Sequence, residues 1–386
     1  MGGLNVRVRT GFWRAGLAAG LLVLGMSPSS AIAQGGPPIE RELVILATIP
    51  KRMSDAAIAA FKTHARERWG ISITVSTLTA GTPIAYGRVV EWGGRPQADV
   101  FWGGESGLYD DLAAKGLLVP LAVPASVWDR IPADIGKPKP IPLKDATRFW
   151  VGIAAQVWGL VYNERLYERL GLKPPKEWND LFHPKLKGMI AQCAPARSSS
   201  SHALYEIFLQ ELGQERGWAW LERLAAQTGI FTARSRDVPN VVARGEFAVG
   251  FAVPSIGAFD ERLEGHPIRF VFAKSAYVAP EVWGVLAGAP HPRAAQAFVE
   301  FMLSEAGQRA FMAIGLYSVV PGYRLQGAAG SVEEQAVEFM GGIRSIFDLE
   351  VNNVYDDKIA RARYQEVNQE FRRRIESNLE ELRRKY

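Results

Sequence analysis

The feature that most constrains the fold is a regular alternation of short apolar runs with amphipathic stretches. Leu43–Thr48 is a continuous apolar run that ends before Pro50, and residues 55–69 carry apolar side chains at helical spacing up to Gly70. The β-rich stretch Ile71–Leu78 follows and completes a β-α-β unit. This alternation predicts a parallel α/β sheet, with ligands bound at the carboxyl ends of its strands.

The same pattern continues with a helix at 82–92, a strand at 99–102 and a helix at 107–114. The loops after Thr48, Leu78 and Trp102 therefore face one cleft. The residues of these loops that we predict to contact a ligand are Thr48, Gly81, Thr82, Gly103, Gly104 and Glu105. The glycine pair allows close approach of the backbone to a ligand, although such a pair also suits a simple turn.

A Pro-rich passage at 132–142 interrupts the alternation, and the chain resumes with apolar strands at 150–154 and 157–162. A second α/β series follows, so the sequence predicts two lobes. We assign residues 39–148 and 277–330 to the first lobe. Residues 149–276 and 331–386 form the second lobe, whose C-terminal part is predicted to be helical.

A run of five residues, Arg197 followed by Ser198, Ser199, Ser200 and Ser201, stands directly before an amphipathic helix that ends at Gly213. A helix start presents unpaired backbone N–H groups and the positive end of the helix dipole, and hydroxyls and a guanidinium add donors there. The run therefore predicts an anion site. An ordinary helix cap, which needs only one serine, or a mobile loop are the alternatives.

The first 33 residues have the pattern of a secretory signal peptide. Arg7, Arg9 and Arg14 precede an apolar run at 15–26, and Ala31-Ile32-Ala33 predicts cleavage before Gln34. The only cysteine, Cys193, lies in an apolar strand and is expected to be a core residue rather than a catalytic thiol or a lipid anchor. Free diffusion in a periplasm fits these features best.

Removal of the three arginines of the signal peptide lowers the formal net charge from +5 to +2. A nucleic-acid or membrane-surface protein usually carries a larger, clustered basic excess. We therefore expect no nucleic-acid partner. The length and apolar content suffice for two cores of ordinary domain size.

Four passages carry a family resemblance: Asp99–Trp102, Gly159–Asn163, Gly245–Gly250 and Gly288–Phe298. They resemble the periplasmic solute-binding proteins of ABC importers over about Leu43 to Pro321, and in particular the cluster that binds ferric iron, phosphonates and phosphorylated small molecules. The resemblance implies a type II fold of two α/β lobes joined by two crossing strands, with a C-terminal helical extension in this chain. It also implies a monomer that needs no cofactor and has an ABC permease as its partner.

Ferric binders of this cluster often offer a His after the first strand, a Glu after the Asp-Val-Phe strand and a Tyr pair after the Gly-Glu strand. Here Thr48-Ile49-Pro50 and Val253-Pro254-Ser255 take two of these places, and Glu105 is displaced by one position. The neutral donors Ser235 and Ser255, with the serine run, suit an oxyanion instead. A small phosphonate or phosphorylated anion is therefore the expected ligand, and a carboxylate and ferric iron are the alternatives.

Several further residues are candidates for the cleft. Arg234 and Arg236 are possible cations, and Asp237 is expected to cap the following helix rather than to bind a ligand ammonium group. Trp102, Trp158 and Trp283 suit either the cleft or lobe packing, and Trp158 and Tyr277 are included among the predicted ligand contacts.

The short signatures of common enzymes are absent from the sequence, among them HExxH, GxSxG, SxxK, the P-loop and GxGxxG. Ser199 and His202 could pair as nucleophile and base, but at a helix start they suit a cap and a first-turn surface better. The sequence therefore predicts a binding protein rather than an enzyme. The alternatives left open are an exported enzyme and the ligand-binding subunit of a periplasmic sensor.

Overall fold

The computed structural model describes residues 38–273, 277–349 and 352–386, and the predicted signal peptide lies outside these residues. The first part of the described chain alternates strands and helices. Its elements are β1 (Glu42–Ala47), α1 (Lys51–Trp69), β2 (Thr74–Thr79), α2 (Thr82–Trp92), β3 (Val100–Trp102), α3 (Ser106–Ala114), β4 (Leu118–Val119), α4 (Ala125–Trp128), β5 (Asp134–Ile135), β6 (Lys137–Pro138), β7 (Ile141–Pro142), β8 (Val151–Asn163) and α5 (Glu164–Leu170).

The second part repeats the alternation and then becomes mainly helical. Its elements are β9 (Ile190–Cys193), α6 (Ser199–Leu212), α7 (Gln214–Gln227), β10 (Thr228–Thr232), α8 (Asp237–Ala243), β11 (Val249–Pro254), α9 (Ser255–Leu263), β12 (Ile268–Val271), β13 (Tyr277–Leu286), α10 (Pro292–Leu303), α11 (Glu305–Met312), α12 (Val332–Phe339), β14 (Asn352–Asn353), α13 (Asp357–Ala362), α14 (Tyr364–Arg374) and α15 (Leu379–Lys385). Short 3-10 turns connect some of these elements.

One large sheet carries the fold, with the strand order β10-β9-β11-β8-β13-β3-β1-β2 and with β12 on β8 and β4 on β13. At one end β1 pairs in parallel with β2 and β3, and at the other end β9 pairs in parallel with β10 and β11. The long strands β8 and β13 run antiparallel between these two groups, from the pair Val151 and Trp283 to the pair Trp158 and Tyr277. The predicted fold class, with two crossing strands and C-terminal helices, is confirmed.

The crossing strand β8 differs from the sequence prediction, which divides it into two strands at 150–154 and 157–162. The structure has one strand of thirteen residues, and every residue of it is buried. No glycine, proline or turn residue separates the two apolar runs. The extended backbone therefore continues through Gln156, whose amide group finds a partner on β13.

Helix boundaries follow the capping signals. Ser198 is the N-cap of α6, where its hydroxyl accepts from the backbone N–H of Ser201, and Gly213 ends the helix as predicted. The prediction for α2 has the observed bounds. Helix α1 begins at Lys51, four residues before the predicted start at residue 55, because Pro50 precedes its first turn and fits that position.

Aromatic side chains fill the core beside β3 and β13. The rings of Trp283 and Phe298 stack at 4.6 Å, and Trp102 meets Trp283 edge to face at 5.2 Å. Both tryptophans are fully buried. Of the two alternatives for Trp102 and Trp283, the structure selects packing rather than the cleft.

A second core lies beneath α6 and α7. Phe208 stacks on Trp220 at 3.9 Å and lies beside Phe251 of β11, and Cys193 is buried as predicted. Phe371 of α14 packs edge to face on Tyr205 at 5.4 Å. The C-terminal helices therefore belong to the same core as the serine-capped helix.

Residues Ile39–Tyr386 form one compact unit. The division of this unit into the two predicted lobes stays a prediction. Among the described residues, no helix is long and apolar enough to cross a membrane.

Candidate functional site

The loops that follow β1, β2 and β3 meet at one edge of the sheet. The strands are parallel, and Ala47 is the register partner of both Thr79 and Trp102, so the residues after these positions converge. Thr48, the Gly81-Thr82 pair and the Gly104-Glu105 pair lie there. This is the arrangement that the β-α-β pattern predicts.

Serine hydroxyls gather at the start of α6. Ser198 Oγ lies 3.1 Å from Ser200 Oγ and 3.1 Å from Ser235 Oγ, which comes from the loop before α8. The hydroxyl of Ser198 therefore caps the helix and also contacts Ser200 and Ser235, which is 37 positions away in sequence. The cluster exceeds what capping requires.

These two groups of loops, together with the crossing strands, enclose a cavity with about 790 Å³ of open space, including the solvent at its mouth. The residues that line it are Thr48, Ile49, Pro50, Gly81, Thr82, Gly104, Glu105, Gln156, Trp158, Arg197, Ser198, Ser199, Ser200, Arg234, Ser235, Arg236, Pro254, Tyr277, Ala279, Pro280 and Glu281.

Three arginines line the serine side of the cavity. Arg197 Nη1 donates to the carbonyl oxygens of Phe231 and Thr232 at 3.1 and 3.0 Å, which ties the start of α6 to β10. Among the described residues, no carboxylate forms an ion pair with Arg234 or Arg236. Burial, and then the charge of Arg234, lower the pKa of Arg236. We call Ser198, Ser200, Ser235, Arg234 and Arg236 the serine–arginine wall.

Two carboxyl groups line the cavity beyond that wall. Glu105 Oε2 accepts a hydrogen bond from the hydroxyl of Tyr355 at 3.2 Å, while its buried Oε1 has no partner among the described residues. Glu281 Oε1 accepts from Gln156 Nε2 in the crossing strands. Burial raises the pKa of Glu105 to about 8 and that of Glu281 to about 7, against the opposing effect of these hydrogen bonds.

Two neutral side chains of the cavity also have unused polar atoms. Gln156 and Trp158 are 5% and 6% exposed, and Gln156 Oε1 and Trp158 Nε1 have no hydrogen-bond partner among the described residues. A buried polar atom without a partner costs about 1–3 kcal/mol. Gln156 Oε1 can therefore accept a hydrogen bond from a bound molecule, and Trp158 Nε1 can donate one to it.

Residues 95–340 match the model of the family described as bacterial extracellular solute-binding protein. The chain belongs to this family. The match begins after β1 and β2, and it covers β3, both crossing strands and the serine-capped helix. It stops before Tyr355 and the helices α13 to α15.

A curated relative of this solute-binding protein is the phosphoglycerate transport regulatory protein PgtC of Salmonella typhimurium, which is 30% identical over 174 residues. The matched part is 44% of this chain and 43% of the relative, so the chain spans less than half the length of the relative.

Solved structures share the fold. The periplasmic binding protein AfuA of Actinobacillus pleuropneumoniae, with fructose-6-phosphate bound, is 21% identical, has a TM-score of 0.68 and covers 87% of this chain and 99% of its own. Iron-bound HitA of Pseudomonas aeruginosa is 22% identical, has a TM-score of 0.63 and covers 86% of this chain and 99% of its own. At these identities, the likeness shows the fold of this solute-binding protein.

The structure brings most of the predicted contact residues to one cavity. Those that line it are Thr48, Gly81, Thr82, Gly104, Glu105, Trp158, Arg197, Ser198, Ser199, Ser200, Ser235 and Tyr277. Their role in binding stays a prediction.

Three predicted contact residues lie outside the cavity wall. Gly103 sits behind Thr48, where a Cβ atom would lie 2.5 Å from Thr48 Oγ1. Ser201 is fully buried, because its position in the first turn of α6 faces the core. The hydroxyl of Ser255, the first residue of α9, accepts from the backbone N–H of Val157 in β8 at 3.3 Å and is therefore used within the fold.

The prediction for Asp237 was wrong in detail. The N-cap of α8 is Arg236, and no side chain makes the capping hydrogen bond. Asp237 is the first residue of the helix, where its carboxylate interacts favourably with the helix dipole without capping it.

Sequence reasoning missed Gln156, Glu281 and Tyr355. Gln156 and Glu281 are the polar residues inside the otherwise apolar runs of β8 and β13. A polar residue in a buried strand needs a partner, so this pattern was a usable signal. Tyr355 offers no such signal, because it reaches Glu105 across 250 positions of sequence.

Proposed function

We propose that this protein is the periplasmic solute-binding component of an ABC importer that captures a small organic phosphate or phosphonate. The observation that carries the proposal is the serine–arginine wall, in which a hydroxyl cluster and two arginines that form no ion pair with a carboxylate of the described residues line one cavity. The captured molecule would then be delivered to a permease in the inner membrane.

The chemistry of the wall favours a tetrahedral dianion. Such an anion accepts many hydrogen bonds, and hydroxyls at the start of a helix of fourteen residues supply donors together with the positive end of its dipole. Arg234 and Arg236 are like charges close together, so a bound anion would relieve their repulsion. The names of PgtC and of the AfuA complex, which mention phosphoglycerate and fructose-6-phosphate, agree with a phosphorylated ligand.

A second candidate role is that of the ligand-binding subunit of a sensor. The relative PgtC is named a transport regulatory protein. The ligand-bound protein would then interact with a membrane receptor instead of a permease. Reconstitution with a candidate ABC permease and its ATPase separates the roles, since only an importer stimulates ATP hydrolysis and uptake.

Ferric iron is a further candidate cargo because iron-bound HitA has the same fold. Glu105 and Tyr277 are oxygen donors in the cavity, but burial raises the pKa of the Tyr277 phenol well above its ordinary value, so formation of a phenolate is costly there. Among the described residues, three His, Cys, Asp or Glu ligands meet only at Glu261, Glu264 and His266, outside the cavity wall.

A thermal-shift panel tests the proposal. The panel contains glycerol 3-phosphate, fructose 6-phosphate, ethylphosphonate, 2-aminoethylphosphonate, citrate, spermidine and ferric citrate. We expect stabilisation by at least one phosphorus compound and none by spermidine or citrate. Stabilisation by ferric citrate or spermidine alone would overturn the proposal. Mass spectrometry of the same mixtures after incubation should recover each compound unchanged, whereas turnover would favour the exported enzyme.

A further inference from the structure

Two sets of helices meet at the cavity. The helices α1, α2 and α3 follow the strands of the first parallel group, whereas α6 and α9 follow β9 and β11 of the second group. Pro50 and Pro254, which stand directly before α1 and α9, line the cavity. A movement that widens the cavity therefore breaks contacts between these two sets of helices, and the structure has such contacts at two separate places.

The first place is an ion pair between α1 and α9. Arg52 Nη1 donates to Asp260 Oδ1, and the two side chains are 31% and 26% exposed. Arg52 also donates to the carbonyl oxygen of Ile314 at 3.3 Å, and its guanidinium lies 5.9 Å from the ring centre of Phe259. Because Ile314 follows α11, which packs on α1, and Phe259 belongs to α9, the guanidinium is held by both sets of helices.

The carboxylate of Asp260 depends on this pair. Burial raises its pKa, and the charge of Arg52 opposes that effect. A carboxylate that is shielded from water and loses its cation is costly, and a wider cavity would return it to water. The pair therefore favours the arrangement in which α1 and α9 are close together.

The second place is the C-terminal segment 355–363, which lies beyond the family match. Tyr355 donates to Glu105 Oε2 at 3.2 Å, directly before α3. Arg361 Nη1 donates to the carbonyl oxygen of Gly107 at 3.0 Å, and it lies 3.4 Å from Asp110 Oδ2, both in α3. This end of the segment is thus attached to the first set of helices.

The same segment is attached to α6 of the second set. The backbone N–H of Asp356 donates to Gln210 at 2.6 Å, and Arg363 Nε binds both carboxylate oxygens of the fully buried Glu206 at 2.8 and 3.0 Å. The side chain of Arg361, in contrast, is 36% exposed where it meets α3. A buried pair is much harder to break than an exposed one, so the contacts with α3 are the ones that open first.

We propose that the Arg52–Asp260 pair and the segment 355–361 are two latches that stabilise the closed cavity through protein contacts alone, and that their release sets how fast a small molecule enters and leaves. Neither latch includes a residue of the serine–arginine wall. The inference rests on the proposed function only in treating this cavity as the binding site, and it holds for any small ligand of the cavity.

Spin labels on the two sides of the cavity measure its opening. Ile84 of α2 is 60% exposed, and Ala233 is exposed next to Arg234, which lines the cavity. Ile84→Cys/Ala233→Cys provides two labelling sites, because the native Cys193 is buried. Pulsed electron paramagnetic resonance without any added compound should show a short distance between the labels as well as a longer one.

Variants of the latches should shift this distribution. Arg52→Gln, Asp260→Asn and Arg361→Gln each remove a contact across the cavity, so each should lower the ratio of short to long distances about threefold. The double variant Arg52→Gln/Arg361→Gln should lower it further. The charge exchange Arg52→Asp/Asp260→Arg should recover the short distance, because it forms the pair again with reversed charges.

Lys51→Gln and Arg373→Gln are the matched controls, because Lys51 pairs with Asp55 and Arg373 with Glu370 inside single helices. Both should leave the distances unchanged, and circular dichroism checks that each variant is folded. The charge exchange keeps the test decisive where a single variant unfolds. Only long distances in the protein with both latches, no shift in the double variant, or an equal shift in the controls would overturn the latches.

Ligand exchange is the second readout. Stopped-flow dissociation of 2-aminoethylphosphonate, followed by tryptophan fluorescence, should be about threefold faster in Arg361→Gln and in Arg52→Gln than in wild type. Unchanged dissociation despite shifted distances would overturn the claim that latch release limits exchange. Absence of binding by every compound of the thermal-shift panel would overturn the proposed function, whereas the label distances, measured without any compound, would still decide whether the latches exist.

Discussion

The hydroxyl of Tyr355 donates a hydrogen bond to Glu105 Oε2 at 3.2 Å and so joins the C-terminal segment to the loop after β3. The contact connects residues 250 positions apart. It places a residue from outside the family match against a carboxyl group of the candidate site.

The serine run should contribute directly to affinity. Each hydrogen bond to a charged group is worth about 1.5–3 kcal/mol, so the double variant Ser198→Ala/Ser199→Ala should weaken binding of 2-aminoethylphosphonate about a hundredfold or more. Calorimetry measures the change. Ser304→Ala, which removes the N-cap of α11 away from the cavity, should lower stability but keep the affinity. Wild-type affinity in the double variant would contradict the role of the run.

The raised carboxyl pKa values predict how stability depends on pH in the ligand-free protein. Because burial raises the pKa of Glu105 to about 8, the folded state binds more protons than the unfolded state from about pH 4.5 to pH 8. The free energy of unfolding should therefore fall as the pH rises, and the part due to Glu105 and Glu281 is measurable between about pH 5 and pH 8.

Urea unfolding at several pH values in that window tests the sign. Wild type should lose stability as the pH rises, and the combined variant Glu105→Gln/Glu281→Gln should show a flatter profile. Glu305→Gln is the control, because that side chain is exposed. A wild-type profile that rises with pH, or the same slope in the double variant, would count against the buried state of these carboxyls.

Gly103 should be required for the position of Thr48. Its φ is +94°, and a Cβ atom there would lie 2.5 Å from Thr48 Oγ1 and 2.7 Å from Ile49 Cγ2. Gly103→Ala should lower the free energy of unfolding by about 1–3 kcal/mol. Gly116→Ala, at φ +69° with no atom within 4 Å, shares the backbone strain but not the clash, so it should cost less in urea unfolding. Equal losses would show that the close approach is unimportant.

Ligand closure is the prediction that concerns the two lobes. Periplasmic binding proteins close two lobes around a bound ligand by a hinge movement. If this protein does the same, its complex should be more compact than the free protein. Small-angle scattering with and without 2-aminoethylphosphonate at saturation should show a smaller radius of gyration in the complex. An unchanged radius under saturating conditions would argue against a hinge.

The sequence predicted the parts of this protein that depend on local pattern. Apolar runs and capping residues gave the strands of both parallel groups and the start of α6 at the serine run, and parallel pairing brought Thr48, Thr82 and Glu105 together. Side-chain contacts between residues that are distant in sequence were not predictable from local pattern. Gln156 meets Glu281 through the register of two crossing strands, and Tyr355 meets Glu105 through the packing of the last helices. Tertiary geometry also turned Ser201 into the core and the hydroxyl of Ser255 towards β8.

The most direct test of the account is a crystal structure of the complex with 2-aminoethylphosphonate. We expect the phosphonate oxygens within hydrogen-bond distance of the hydroxyls of Ser198 and Ser200 and the guanidinium groups of Arg234 and Arg236. A phosphonate group bound outside the cavity, or seated away from the serine hydroxyls with both arginines still unpaired, would contradict the account.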